Sequence, residues 1–217
     1  MTPILLVLSS PSGGGKTTIA RLLKQGREDL GYSVSATTRA PRAGERDGVD
    51  YHYLSRDEFL RRVEAGDFLE YATYNGHLYG TLRSEIERIL GDGRHAVLDI
   101  EIHGARQVRA AFPGAILVFV LPPSARVLAA RLAERGTEDP DRVRERLALA
   151  AAELSAVPEY DFAIVNDDLF AAVASVAAVL DAESRRVSRH PSLPELVEEL
   201  QRDIAAEAAR ITSQAEA

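Results

Sequence analysis

Cysteine and tryptophan are absent from this sequence of 217 residues, and no apolar run approaches the roughly 18 residues that span a membrane. The lack of cysteine excludes disulfide bonds, thiolate catalysis and Cys-ligated metals, and it suits a reducing compartment. The apolar run at 4–8 is too short for a signal peptide and lacks a basic flank. We therefore expect a cytoplasmic protein that does not bind a membrane.

An excess of basic residues is also missing, since 33 acidic residues stand against 26 basic ones and the net charge is −7. Nucleic-acid binding normally requires a basic surface, so we expect no nucleic-acid partner. Basic residues do cluster locally at 39–46 and 126–146. These two clusters indicate a small anionic ligand.

Short apolar runs alternate with helical stretches along the chain, which is typical of an α/β fold with a parallel sheet flanked by helices. The predicted strands are 4–9, 32–37, 96–100, 115–121 and 162–165. The predicted helices are 16–24, 104–111, 124–135, 140–156 and 168–187.

The segment 38–81 differs from its surroundings because it is rich in tyrosine and glycine. Ser55 and Glu58 have the spacing of a capping box, which predicts a short helix ending near Gly66. Strands at 68–74 and 77–79 flank an Asn-Gly pair typical of a hairpin turn. We expect a small β-rich insertion, carried on a core formed by 1–37, 82–123 and 151–190.

The stretch 10–17 reads Ser-Pro-Ser-Gly-Gly-Gly-Lys-Thr and lies between the first predicted strand and helix. It matches the phosphate-binding motif G-x-x-x-x-G-K-[ST], except that Ser10 replaces the first glycine. In this motif backbone N–H groups cradle phosphates, Lys16 reaches the β- and γ-phosphates, and Thr17 ligates Mg²⁺. Ser10 removes no phosphate donor, so we expect the loop to function. The residues expected to bind ATP are Ser10, Pro11, Ser12, Gly13, Gly14, Gly15, Lys16, Thr17 and Thr18.

A series of short motifs follows this loop in a fixed order. They are Ser-Ala-Thr-Thr-Arg-Ala-Pro-Arg-Ala-Gly-Glu at 35–45, Asp-Tyr at 50–51, Phe-Leu-Glu at 68–70, Tyr-Gly-Thr at 79–81, Leu-Asp-Ile-Glu at 98–101 with Gly104, Leu-Pro-Pro-Ser at 121–124, and Val-Asn-Asp-Asp at 165–168. In order and spacing the chain resembles guanylate kinases over about residues 4–188. The resemblance implies a P-loop nucleoside monophosphate kinase that transfers the γ-phosphoryl of ATP to GMP and dGMP with Mg²⁺, in purine nucleotide metabolism and GMP recycling. It also implies a helical lid at 124–150.

The predicted monophosphate pocket combines paired cations with an acid. Arg39 and Arg42 can form charge-assisted hydrogen bonds to a phosphate monoester. Glu70 can accept N1–H and the amino group of guanine, whereas adenine presents a lone pair at N1. The resemblance implies that Ser35 donates to guanine O6, that Thr81 lies beside the base, and that Glu101, where the family usually has aspartate, assists at the amino edge. The expected GMP-binding residues are Ser35, Arg39, Arg42, Tyr51, Glu70, Tyr79, Thr81 and Glu101.

Asp99 ends an apolar strand, where a carboxylate needs a cation or donors. Two interpretations stay open: a Mg²⁺ shell reached through water and shared with Thr17, or a carboxylate that braces a nearby loop. The resemblance also implies that Asn166 and Asp167 flank the adenine of ATP, although Asp167 or Asp168 could instead cap a helix. The residues expected to neutralise the transferred phosphoryl group are Lys16, Arg39, Arg131, Arg135 and Arg146, although many arginines on such helices are only solvated.

The end of the chain, 191–217, extends beyond the family pattern. An apolar stripe on a predicted helix comprises Val197, Leu200, Ile204, Ala208 and Ile211. It could dock on its own domain or form a subunit contact, so the chain is expected to be a monomer or a homo-oligomer through this helix.

Two other functions agree with part of the sequence. A kinase of a sugar phosphate would keep the loop but have no use for Glu70 and the two tyrosines. A noncatalytic guanylate-kinase-like module that binds phosphopeptides typically loses the loop lysine, which this chain keeps as Lys16.

Overall fold

The structure is a computed structural model that describes residues 2–74, 76–134 and 140–215. The strands of these residues are β1 Leu5–Ser9, β2 Leu30–Tyr32, β3 Ala36–Thr37, β4 His52–Tyr53, β5 Phe68–Tyr74, β6 His77–Leu82, β7 His95–Asp99, β8 Ile116–Leu121 and β9 Phe162–Val165. The helices are α1 Lys16–Gln25, α2 Arg56–Glu64, α3 Arg83–Gly91, α4 Ile102–Ala111, α5 Ala125–Glu134, α6 Pro140–Glu153, α7 Leu169–Ser184 and α8 Leu193–Ala215, with short 3-10 helices at Leu154–Glu159 and Val187–Arg189.

The larger sheet contains five parallel strands in the order β2-β7-β1-β8-β9. The central strand β1 is fully buried, because apolar clusters cover both of its faces. Leu6 and Leu8 face α1 and α7, while Leu5 and Val7 face the side of α3 and α4. Burial on both faces explains why this strand is a continuous apolar run. The predicted α/β fold is confirmed.

The smaller sheet contains four strands in the order β4-β3-β6-β5, and β6 is antiparallel to both β3 and β5. Helix α2 covers it through Phe59, whose ring stacks on Phe68 with a centroid distance of 4.3 Å. The Ser55 side chain accepts a hydrogen bond from the Glu58 N–H at 3.1 Å, as the capping box predicts.

The prediction of one strand at 32–37 is wrong, because the chain passes from the larger sheet to the smaller one within these residues. Tyr32 pairs with Val97 in the larger sheet, whereas Ala36 pairs with His52 and Gly80 in the smaller one. Apolar periodicity indicates extended backbone but not which strand it pairs with, so the break was not visible in the sequence.

Helix α3 was not predicted. It packs tightly on the sheet, since a Cβ on Gly31 would lie 2.5 Å from Ile89 Cγ2. The apolar residues at 82, 86, 89 and 90 have the spacing of an amphipathic helix, so the sequence contained the signal for α3.

Thr2 and the described residues from Asp181 onward form a second compact unit. Within it the Thr2 N–H donates to the Arg189 carbonyl at 3.1 Å. The stripe residues Val197, Leu200, Ile204 and Ile211 on α8 are each between 43% and 67% exposed. Among the described residues no helix is both long and apolar enough to cross a membrane.

Candidate active site

A cavity of about 490 Å³ opens at the carboxyl ends of β1, β2 and β7. Its volume is in the range of small-molecule sites, and the edge where parallel strands end is a common position for them. Most of the predicted site residues line it. They are Ser10, Pro11, Ser12, Gly13, Gly15, Lys16, Thr17, Ser35, Arg39, Arg42, Tyr51, Glu70, Tyr79, Asp99 and Glu101.

The loop between β1 and α1 has the backbone of an anion cradle. Gly13 and Gly15 have φ values of +85° and +101°, which L-residues with side chains rarely adopt. A Cβ on Gly15 would also collide with the Asn166 amide nitrogen. Helix α1 begins at Lys16 with no acidic residue in its first turn, so its N–H groups are available to a phosphate.

Ser10 fits this loop without difficulty. It is buried, and its hydroxyl donates to the Pro11 carbonyl at 2.9 Å. A Cβ on Gly14 would lie 2.6 Å from the Ser10 Cβ, so the serine side chain occupies the space that Gly14 leaves open. The Ser10 side chain is therefore accommodated because Gly14 has none, and the departure from the motif leaves the cradle intact.

Lys16 and Glu101 form an ion pair across the cavity, with Nζ 2.6 Å from Oε1. The lysine side chain is 13% exposed and the glutamate side chain 48%. Glu101, predicted at the guanine edge, here contacts the lysine predicted to hold phosphates.

Asp99 ends β7 and receives a hydrogen bond that sequence reasoning missed. Tyr32 Oη donates to Asp99 Oδ1 at 2.5 Å, and burial, followed by the charge of Asp99, raises the pKa of Tyr32 well above its usual range. Thr17 lines the same cavity. Tyr32 lies between Gly31 and Ser33, before the motif that begins at Ser35, so only the three-dimensional structure reveals the contact.

Glu70 is the most deeply buried acid of the cavity, with 6% of its surface exposed. Thr81 Oγ1 donates to Glu70 Oε1 at 2.7 Å, while Oε2 lies against Gly104, where an added Cβ would be 2.5 Å away. Burial raises the pKa of Glu70 to about 7. The carboxylate is thus held at a fixed place with no cation to neutralise it among the described residues.

Arg39 forms a bidentate pair with Glu45, with both N···O distances 2.9 Å. Glu45 also accepts from the Arg42 N–H and from Tyr53 Oη, each at 2.7 Å. These donors, Arg39 first, lower the pKa of Glu45 to about 2. The guanidinium carbon of Arg39 lies 5.3 Å from the ring centroid of Tyr51, a cation–π distance. Neither Glu45 nor Tyr53 was a predicted site residue, although Glu45 lies within a quoted motif.

Three predicted residues outside the cavity lining are linked to the phosphate loop, two of them directly and Arg131 through Asn166. Asn166 Nδ2 donates to the Gly14 carbonyl at 2.9 Å, and Arg131 Nη2 donates to the Asn166 carbonyl at 3.2 Å. Arg146 Nη2 donates to Ser12 Oγ at 2.8 Å.

The remaining predicted residues have weaker structural support. Thr18 and Asp167 are exposed. The cap of α7 is Asp168, whose Oδ1 accepts from the Ala171 N–H at 2.8 Å. Arg135 lies outside the described residues.

The described residues hold no cluster of three or more His, Cys, Asp or Glu that could bind a metal alone. Thr17 and Asp99 nevertheless offer hard oxygen donors beside the phosphate loop. Such a sparse set suits Mg²⁺, which keeps several waters and is bound through one or two carboxylates plus substrate phosphates. The residues present therefore fit a magnesium ion that arrives with a nucleotide.

The site combines a parallel sheet, a glycine-rich cradle at the start of a helix, and arginines with a buried acid in the same cavity. These features define a P-loop nucleotide-binding protein. Comparison with known proteins makes the class more specific. The family model described as guanylate kinase matches residues 2–183. A guanylate kinase from Alkalilimnicola ehrlichii is 44% identical over 201 residues, covering 92% of this chain and 99% of that protein. One from Thermus thermophilus is 46% identical over 205 residues, covering 94% and 91%.

A crystal structure of guanylate kinase from Anaplasma phagocytophilum is also similar, with a TM-score of 0.74 and 34% identity. The match covers 91% of this chain and 95% of that one. The chain belongs to the guanylate kinase family.

Proposed function

We propose that this chain transfers the γ-phosphoryl of ATP to GMP and dGMP, giving ADP and the corresponding diphosphate. The observation that carries the proposal is the single cavity that contains both the phosphate loop and the buried Glu70. A sugar phosphate offers no group for Glu70, and a phosphopeptide module has no need of Lys16.

In this proposal the loop from Ser10 to Thr18 holds the phosphates of ATP. The left-handed glycines turn backbone N–H groups toward the ligand, and Lys16 exchanges Glu101 for the β- and γ-phosphates. Asn166 supports the loop from behind through Gly14. Asp167 is proposed to lie at the adenine.

GMP binds in the part of the cavity lined by the smaller sheet. Arg39, Arg42, Tyr51 and Tyr79 hold its phosphate, because all four line the cavity and present donors. Glu70, supported by Thr81, accepts the two donors of the guanine edge. Ser35 and Glu101 complete the base pocket. These contacts involve the phosphate and the base. Because dGMP differs from GMP only in its sugar, we propose that dGMP is a substrate as well.

The chemistry requires no general base. The acceptor oxygen of GMP is already anionic, so catalysis rests on alignment and on neutralising the charge of the moving group. Lys16 and Arg39 supply part of that charge. Arg131, Arg135 and Arg146 from the segment 124–150 are proposed to supply the rest when it closes over the nucleotides.

Thr17 and, through water, Asp99 would hold a Mg²⁺, which would supply positive charge to neutralise the phosphates. The absence of cysteine supports a cytoplasmic location, and the net charge of −7 argues against nucleic-acid partners. We place the reaction in purine nucleotide metabolism.

Release of ADP, measured by a coupled assay with ATP and Mg²⁺, tests the proposal across GMP, dGMP, AMP, UMP and a ribose bisphosphate. We expect rapid turnover with GMP and dGMP and very little with AMP, because Glu70 faces a lone pair at adenine N1. Comparable rates with AMP and GMP would contradict the role of Glu70. Preference for the ribose bisphosphate would replace the proposal with a sugar-phosphate kinase.

A further inference from the structure

We propose that Tyr32 is a positioning residue that holds the Asp99 carboxylate for the water shell of the nucleotide-bound metal ion. The inference rests on the proposed function, in which Asp99 faces Mg²⁺. Neither the motif at 10–17 nor the resemblance singled out Tyr32.

The register of the sheet brings the two side chains together. Tyr32 is the last residue of β2 and pairs with Val97 of the neighbouring parallel strand β7. Asp99 lies two residues beyond Val97, so both project on the same face of the sheet. The Tyr32 side chain extends along the strand direction past Val97 and contacts Asp99 at the end of β7.

The contact is short and charge-assisted. An Oη···Oδ1 distance of 2.5 Å is at the lower end for a hydroxyl that donates to a carboxylate. A phenol has one hydrogen to donate, and here it is committed to Asp99. Tyr32 is therefore unlike Tyr51 and Tyr79, whose hydroxyls are proposed to bind substrate phosphate.

Tyr32 is well placed to fix an orientation because its ring is anchored. The ring packs against the apolar cluster that contains Leu6, Leu8 and Ile19, while its hydroxyl end reaches the cavity. A rigid donor on Oδ1 limits rotation of the carboxylate and leaves Oδ2 for the water of a metal ion. Carboxylates that serve metal sites commonly need such an outer partner, and its loss typically costs about 10- to 100-fold in metal affinity or activity.

The alternative is that the pair only braces the ends of β2 and β7. Bracing would affect stability, whereas positioning also affects how much a metal ion strengthens nucleotide binding. The two effects are separable because Tyr32→Phe removes the hydroxyl and keeps the packed ring.

Calorimetric titration of the full chain with ADP, in EDTA and again with Mn²⁺, tests the inference without turnover. We define the metal gain as the ratio of the two ADP affinities. Tyr32→Phe should lower the metal gain about tenfold while ADP affinity in EDTA stays within about twofold of wild type. Tyr160→Phe is a matched control, since that ring packs on Phe119 at 5.0 Å and does not line the cavity.

A double-mutant cycle identifies the route of the effect. Asp99→Asn should lower the metal gain by a similar factor, and adding Tyr32→Phe to Asp99→Asn should lower it no further. If Tyr32→Phe keeps the wild-type metal gain, even with a lower melting temperature, the inference about Tyr32 is wrong while the proposed function is unaffected. The same conclusion follows if Tyr32→Phe still lowers the metal gain when it is added to Asp99→Asn. A wild-type chain with no metal gain would overturn both the inference and the proposed metal role.

Discussion

The two cations expected to hold phosphates at the two ends of the cavity are paired with acids in different ways. Lys16 has one contact with Glu101, whose side chain is about half exposed. Arg39 has two bonds to Glu45, and that acid also accepts from the Arg42 N–H and from Tyr53. We therefore expect a ligand to replace the acid more readily in the first pair than in the second.

The energetics follow from this difference. An ion pair with one exposed partner contributes about 0 to 1 kcal/mol, so we expect a nucleotide phosphate to displace Glu101 from Lys16 at little cost. Glu45, with its pKa lowered to about 2 first by Arg39, stays ionised throughout the neutral range. We therefore expect Arg39 to keep its charged partner over the neutral pH range.

Glu70 is a third case, an acid at the same cavity that has no cation beside it in the part of the chain that the structure describes. Its pKa is raised from 4.5 to about 7 by burial, so the folded protein holds the proton more tightly than the unfolded chain does. Stability is then highest at low pH and falls as pH rises from about 4.5 to about 7. The ionised acid costs the fold at most roughly 3 kcal/mol.

The largest expected effect comes from removing this unpaired charge. Glu70→Gln should weaken GMP binding about 100-fold, because the amide offers guanine one acceptor and an opposing donor. The same variant should raise the free energy of unfolding at pH 8 by about 1 to 3 kcal/mol, and by almost nothing at pH 4. Calorimetric titration with GMP and urea unfolding at both pH values measure the two effects. Equal loss of stability at both pH values would contradict the assignment.

A smaller effect is expected when the pair of Arg39 with Glu45 is weakened. Glu45→Gln removes the charge that holds Arg39, so the KM for GMP should rise about tenfold while the KM for ATP changes less than twofold. Glu58→Gln is a suitable control because Glu58 pairs with Arg61 and Arg62 of α2 and does not line the cavity. An equal rise in both KM values would show that the two ends of the cavity do not differ as described.

The smallest effect has the opposite sign. Glu101→Gln frees Lys16, so ADP should bind up to about fivefold more tightly in the absence of GMP. Glu159→Gln provides the control, since Glu159 pairs with Arg106 on the surface. Unchanged or weaker ADP binding in Glu101→Gln would mean that the lysine pair is not the exchangeable one.

The sequence predicted the features that depend on local order. The phosphate loop, the capping box at Ser55 and the alternation of strands with helices each lie within a short stretch of chain, and the structure has them. The side-chain pairs were not predictable, because Tyr32 meets Asp99 and Lys16 meets Glu101 across 67 and 85 residues. The register of β2 against β7 brings Tyr32 to Asp99, and the pairing of β1 with β7 places the loop before Lys16 near Glu101. The division of 32–37 between two sheets was not predicted, because it also depends on which distant strands pair.

The buried contact between Ser10 and Gly14 has a consequence for how the loop is recognised in other chains. A side chain is tolerated at the first motif position because the fifth position is bare, so the rule concerns a pair of residues and not glycine at one of them. A pattern search that requires glycine at the first position would overlook this chain and any other with a side chain at the first position and glycine at the fifth.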